Sequence, residues 1–146
     1  MKFKGSVEIN QPKDLVAKLF ADPQYLKEYQ DGFQSKTLHS GEMGQEGAES
    51  MMFFKHGKRE MELKETITLN NLPDNFEALY EHKHMDNTMK CKFTALEENK
   101  TLYEYEFEYI RISWLMPKLM FLLFPNMFKK QGEKWMQQFK VFVEKQ

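Results

Sequence analysis

The chain has 146 residues, 29% of them charged, and a formal net charge of −1. That is room for one domain, residues 1–146, with a core that takes up about 70% of the unfolded surface. A charge balance of this kind supplies no overall field toward nucleic acid. The one cysteine, Cys91, excludes an internal disulfide framework and fits a reducing, cytoplasmic setting. The first residues lack the apolar run of a signal peptide. The longest apolar stretch, residues 119–124, is too short to span a bilayer.

In chain order, Phe3, Gly5, Val7 and Ile9 alternate with Lys2, Lys4, Ser6 and Glu8, which predicts a half-buried strand. Gln11-Pro12 opens a short helix with an apolar stripe of Leu15, Val16, Leu19 and Phe20. Asp22-Pro23 opens a second, with Asp22 as its cap, and Asp31-Gly32 ends it. From residue 33 to 111, turn signals at 41–47, 57–58, 70–75, 86–87 and 98–100 separate six runs of strand length. From about residue 117 to 144 the period becomes helical, with Phe128, Trp135, Met136, Phe139, Phe142 and Val143 on one stripe. Pro125 kinks or restarts that helix. The segment from 117 onward carries six lysines and two glutamates, a local net of +4 in a chain of net −1.

The turns also predict which side chains share a face. A two-residue turn at Gly57-Lys58 sets Phe54 against Met61, Met52 against Leu63 and Ser50 against Glu65. A six-residue loop at 70–75 sets Glu65 beside Tyr80. A turn at Asp86-Asn87 sets His84 against Met89, His82 against Cys91 and Tyr80 against Phe93. A three-residue loop at 98–100 sets Phe93 against Tyr105 and Cys91 against Phe107, which carries Tyr109 to the same face. The opposite face then holds Glu60, Glu62, Lys64, Glu81, Lys83, Lys90, Lys92, Glu104, Glu106 and Glu108, so one face is wet.

The order strand, two short helices, six strands, long helix resembles the START-like superfamily, also called SRPBCC or helix-grip, in its polyketide cyclase/dehydrase-like branch. The stretch Val7-Glu8-Ile9-Asn10-Gln11-Pro12 looks like that family's first strand and helix start. Asp22-Pro23-Gln24-Tyr25-Leu26 looks like its second helix start, and Glu133-Lys134-Trp135 with Phe139-Lys140 like its closing helix. The resemblance implies an α+β fold in which a curved antiparallel sheet of about seven strands wraps a long C-terminal helix. It also implies a cavity between sheet and helix for lipids, sterols, polyketides or other apolar molecules.

The ligand-facing set is therefore Ser50, Met52, Phe54, Leu63, Glu65, Tyr80, His82, His84, Phe93, Tyr105, Phe107 and Tyr109 from the sheet, with Leu119 and Phe128 from the helix. Glu65 interrupts the apolar series Met61, Leu63, Ile67, Leu69. A buried carboxylate is costly unless paired, and Ser50 and Tyr80 stand beside it as donors. Glu65 is accordingly either a ligand anchor or acid/base group, with His82 as a second catalytic candidate, or part of a satisfied structural network, or a strand end near solvent. His82 and His84 point the same way, with Cys91 beside His82; these are metal-ligand types, but the ligand set is incomplete and such residues on an apolar wall are more often packing or ligand contacts, so no metal is expected. No cofactor motif is present.

The leading function is binding or carrying an apolar or amphipathic small molecule. A cyclase/dehydratase-type enzyme using Glu65 is the first alternative. A protein-interaction module using the apolar patch of residues 114–124 is the second. That patch either packs into the core as a cavity lid or stays exposed for a homodimer partner or a membrane surface, with membrane contact the less favoured.

Overall fold

In the computed structural model, residues 1–113 and 115–146 are described, without the side chains of Met116, Pro117, Phe121 and Pro125. Trp114, part of the apolar patch read from the sequence, lies outside the described residues. The elements are β1 Lys2–Ile9, α1 Lys13–Ala21, a 3-10 turn at Pro23–Tyr25 running into α2 Leu26–Tyr29, β2 Phe33–Ser40, β3 Glu49–His56, β4 Arg59–Asn71, β5 Asn75–Glu81, β6 Met85–Glu97, β7 Lys100–Ile112, α3 Leu115–Leu123 and α4 Pro125–Glu144. The seven strands form one antiparallel sheet in the order β1-β7-β6-β5-β4-β3-β2. This is the α+β architecture read from the sequence.

Local chemistry accounts for the breaks. The Asp22 side chain accepts from the Gln24 backbone N–H at 3.0 Å, capping the turn that Pro23 opens. Gly57 turns β3 into β4 at φ +64°, a region a side chain rarely adopts. The C-terminal helical stretch is two helices. Phe124 leaves helical geometry at φ −133°, ψ 57°, and Pro125 restarts α4, since a proline in mid-helix lacks the N–H the ladder needs.

One sheet face packs against α1, α2 and α4. Ile9, Val16, Phe93, Phe139 and Val143 are fully buried there. The Phe139 ring lies 4.8 Å from Tyr29, 5.6 Å from Tyr103 and 6.0 Å from Phe20, so one helical aromatic joins three elements. Polar ties fix the middle and the C-terminal part of α4: Lys134 pairs with Asp31 at 2.8 Å, and Lys140 Nζ donates to the Glu8 carbonyl at 2.7 Å. The other sheet face is charged and laced across strands, as in Lys2–Glu106 at 3.0 Å and Lys64–Glu49 at 3.4 Å. Exposed pairs of this kind add little stability; their value is to keep that face in water.

Register tests the sequence reading strand by strand. Phe54↔Met61, Met52↔Leu63 and Ser50↔Glu65 pair as expected, and so does Glu65↔Tyr80. The loop after β4 is shorter than expected, and a bulge between Ile67 and Leu69 absorbs the difference. The next two hairpins differ. The β5–β6 turn is made by residues 82–84, where His82 N–H donates to the Met85 carbonyl at 2.9 Å. Tyr80 therefore pairs with Asn87, in place of Phe93, and Ala78 pairs with Met89. In β6–β7, Cys91 pairs with Tyr105 and Phe93 with Tyr103, each two residues from the expected partner. Both slips are even-numbered, so the side chains that remain in strands keep their expected faces, while His82, Lys83 and His84 fall in the turn.

Candidate functional site

Two adjoining chambers lie between sheet and helices. The inner one has a volume of about 110 Å³ and is walled by side chains including Phe20, Leu26, Tyr29, Ile67, Leu72, Phe76 and Phe139. The outer one, of about 200 Å³, is walled by Phe3, Phe54, Met61, Leu63, Met85, Tyr109 and Phe128 among others. Gln30, Met52, Tyr80, Met89, Phe107, Gly132 and Trp135 line both, so these residues form the waist where the chambers meet. Gly132 of α4 lets the helix come close: a Cβ there would lie 3.3 Å from both Phe107 Cε2 and Tyr105 Oη.

The expected ligand-facing residues divide as follows. Met52, Phe54, Leu63, Tyr80, His82, Phe107, Tyr109 and Phe128 line the outer chamber, and Met52, Glu65, Tyr80, Tyr105 and Phe107 the inner one. Ser50 is buried as the cross-strand neighbour of Glu65. Phe93 is not on the wall: it stacks on Tyr103 at 5.0 Å and meets Phe20 at 5.3 Å in the solid core, because the β6–β7 slip moves it deeper. His84 is in the β5–β6 turn, where its N–H donates to His82 Nδ1 at 3.3 Å. Leu119 is 40% exposed on α3 and lies outside both chambers. Leu122, Leu123 and Phe124 are exposed with it, so the described part of this apolar segment is a surface and not a packed lid.

Glu65 is the chemical centre. It is buried on β4. Its Oε2 accepts from Tyr80 Oη at 2.8 Å, and its Oε1 lies 2.6 Å from Lys36 Nζ. The Lys36 and Glu65 side chains are 11% and 5% exposed. Burial and the adjacent carboxylate hold the Tyr80 hydroxyl well above the usual phenol range, so Tyr80 stays neutral and donates. The group is a closed acid–base pair with a phenol attached. Lys36 was not read from the sequence. It pairs with Met52 across β2–β3 and so faces inward, but a bulge between Phe33 and Ser35 breaks the alternation of a mostly polar strand. The available signal was its place two residues before Leu38, together with the need of Glu65 for a cation.

Cys91 does not sit beside His82; it faces Tyr105 and Phe76. Burial pushes its thiol up to about 12, against the opposing effect of the Tyr103 hydroxyl 3.5 Å away. His82 is lowered by burial first, then by His84 and Arg111. Arg111 grips Asp86 through two hydrogen bonds of 2.6 and 2.9 Å and also donates to the His82 carbonyl at 2.7 Å. Among the described residues, no group of three or more His, Cys, Asp or Glu side chains could hold a metal ion. No helix of the described residues is long and apolar enough to cross a membrane.

No family model and no curated protein matches the sequence. Solved structures match it over nearly all of its length. A conserved protein from Geobacillus kaustophilus superposes with a TM-score of 0.79 at 13% identity, covering 99% of this chain and 96% of that one. The Zhui aromatase/cyclase from Streptomyces sp. R1128 gives 0.78 at 9% identity over 99% and 93%. Norcoclaurine synthase from Thalictrum flavum, in complex with dopamine and hydroxybenzaldehyde, gives 0.70 at 14% identity over 98% and 86%. At these identities the likeness is one of fold.

Proposed function

We propose that this chain, which has the START-like helix-grip fold, binds and carries an apolar or amphipathic small molecule between its sheet and α4. One observation carries the reading: two adjoining apolar chambers meet at a waist where Tyr80 reaches a buried, charge-neutralised Lys36–Glu65 pair. Such a pocket, mostly apolar with a few convergent polar groups, is how small molecules are held. Norcoclaurine synthase, solved with two small aromatic molecules, supports the same use of the fold here. The single buried thiol suits a reducing, cytoplasmic setting.

Acid–base catalysis by Glu65 would require the carboxylate to leave Lys36 and Tyr80, which hold both of its oxygens; carriage requires no such move. Native mass spectrometry of the purified protein, followed by organic extraction, tests the proposal. A bound apolar molecule of a few hundred daltons is expected. Protein that carries nothing and fails to take up the neutral dye N-phenyl-1-naphthylamine would contradict it. The exposed apolar face of α3 favours a second use, contact with another copy of the chain. Sedimentation velocity of the wild type beside Leu122→Glu tests that: self-association abolished by the substitution supports it, and a monomer in both cases removes it.

A further inference from the structure

Besides the Tyr105 hydroxyl, which is also unpaired next to Gly132, the waist between the chambers contains two polar atoms with nothing to bond among the described residues. Gln30 Oε1 and Trp135 Nε1 are both fully buried, and neither has a protein partner among the described residues. Both residues line both chambers. Buried polar groups are ordinarily paired, because an unpaired one forfeits the hydrogen bond it had in water. One of these atoms donates and the other accepts. A hydroxyl does both at once, whereas a carboxylate only accepts and an ammonium only donates. We infer that the ligand is an uncharged molecule carrying an alcohol or phenol hydroxyl that engages Trp135 and Gln30 at the waist, with apolar parts on either side. This rests on the pocket reading and specifies its ligand class.

The charges of the site point the same way. Lys36 and Glu65 lie 2.6 Å apart and neutralise each other inside the inner chamber. A ligand carboxylate that drew Lys36 to itself would leave Glu65 buried without its cation, and a ligand ammonium that drew Glu65 would strand Lys36. Either exchange buries an uncompensated charge. The apolar parts have their places: Ile67, Leu72 and Phe76 on the inner side, Phe54, Met61 and Phe128 on the outer.

Three probes of one shape test this: 2-phenylphenol, biphenyl and biphenyl-2-carboxylate, each titrated against bound N-phenyl-1-naphthylamine. The phenol is expected to bind about tenfold more tightly than biphenyl, the usual scale of a hydrogen bond gained in an apolar site, and the carboxylate more weakly than both. Trp135→Phe keeps an aromatic ring, though a smaller one, and removes the N–H, and Gln30→Met keeps the length and removes the amide. Each is expected to shrink the ratio of phenol to biphenyl affinity, both probes being measured on the same variant so that any general change in the pocket cancels. Equal binding of phenol and biphenyl, tighter binding of the carboxylate, or a gap unchanged in both variants overturns the hydroxyl inference alone. Failure of the dye and all three probes to bind overturns the pocket reading, and this inference with it.

Discussion

Replacing Lys36 by methionine keeps the length of the side chain and removes the charge that faces Glu65. At the 2.6 Å separation, Coulomb attraction at an effective dielectric of 20 is about 6 kcal/mol. Desolvation of both ions offsets much of that in the native protein, so the pair itself contributes little net stability. The asymmetry lies in breaking it. Glu65, 5% exposed as a side chain, would be left with the Tyr80 hydroxyl alone, and a stranded buried charge costs about 3–5 kcal/mol. For a chain of this size each kcal/mol moves the melting temperature by roughly 2–4 °C, so Lys36→Met is expected to melt about 10 °C lower. Glu65→Leu strands Lys36 and should cost a similar amount. The double variant Lys36→Met/Glu65→Leu should recover most of the loss, giving a coupling of about 3 kcal/mol in a urea-denaturation cycle. Additive single effects, or singles within about 0.5 kcal/mol of wild type, would refute the buried-pair account.

Tyr80→Phe removes the 2.8 Å hydrogen bond to the Glu65 carboxylate and should cost about 1.5–3 kcal/mol in urea titration, the range for bonds to charged groups. Gly132→Leu fills the waist from α4, since even its Cβ comes within 3.3 Å of Phe107 and Tyr105; affinity for N-phenyl-1-naphthylamine should fall at least tenfold with the far-UV circular dichroism unchanged. The Cys91 thiol, pushed up to about 12 by burial, should resist Ellman's reagent at pH 8 in the native protein and react at once in urea. His82 is lowered from its usual 6.5 by burial, His84 and Arg111. Between that lowered value and 6.5 the unfolded chain binds a proton the folded one does not. Stability should therefore be full above pH 7 and fall as the pH drops below about 6.5, and His82→Gln should flatten that part of the profile.

How much of this was legible follows from what each signal encodes. Alternation of apolar and charged residues assigns faces, and the faces of β3 to β7 were read correctly even where partners were not. Partners depend on where the chain turns. Asp86-Asn87 has the better turn residues, yet the turn falls on His82-Lys83-His84, and Asp86 sits in a strand where Arg111 holds it. Tertiary pairing overrode local turn preference there. Glu65 stood out because a carboxylate in an apolar series demands a partner, and Tyr80 was found because the β4–β5 register was right. Lys36 was not found, since a bulged polar strand shows no face. The waist residues Gln30, Gly132 and Trp135 come from a short helix end and a helix stripe. Which of them meet depends on how α4 crosses the sheet, and no local pattern records that.

The central claim, that a ligand sits between sheet and α4, is tested most directly with methionine methyl groups labelled with carbon-13. Met52 and Met89 line both chambers, Met61 and Met85 line the outer one, and Met127 is exposed on α4. On titration with N-phenyl-1-naphthylamine, the Met52 and Met89 methyl resonances should shift most through ring currents, with Met61 and Met85 next and Met127 unmoved. Shifts confined to Met127 and other exposed methionines, with Met52 and Met89 unchanged at saturation, would contradict the account.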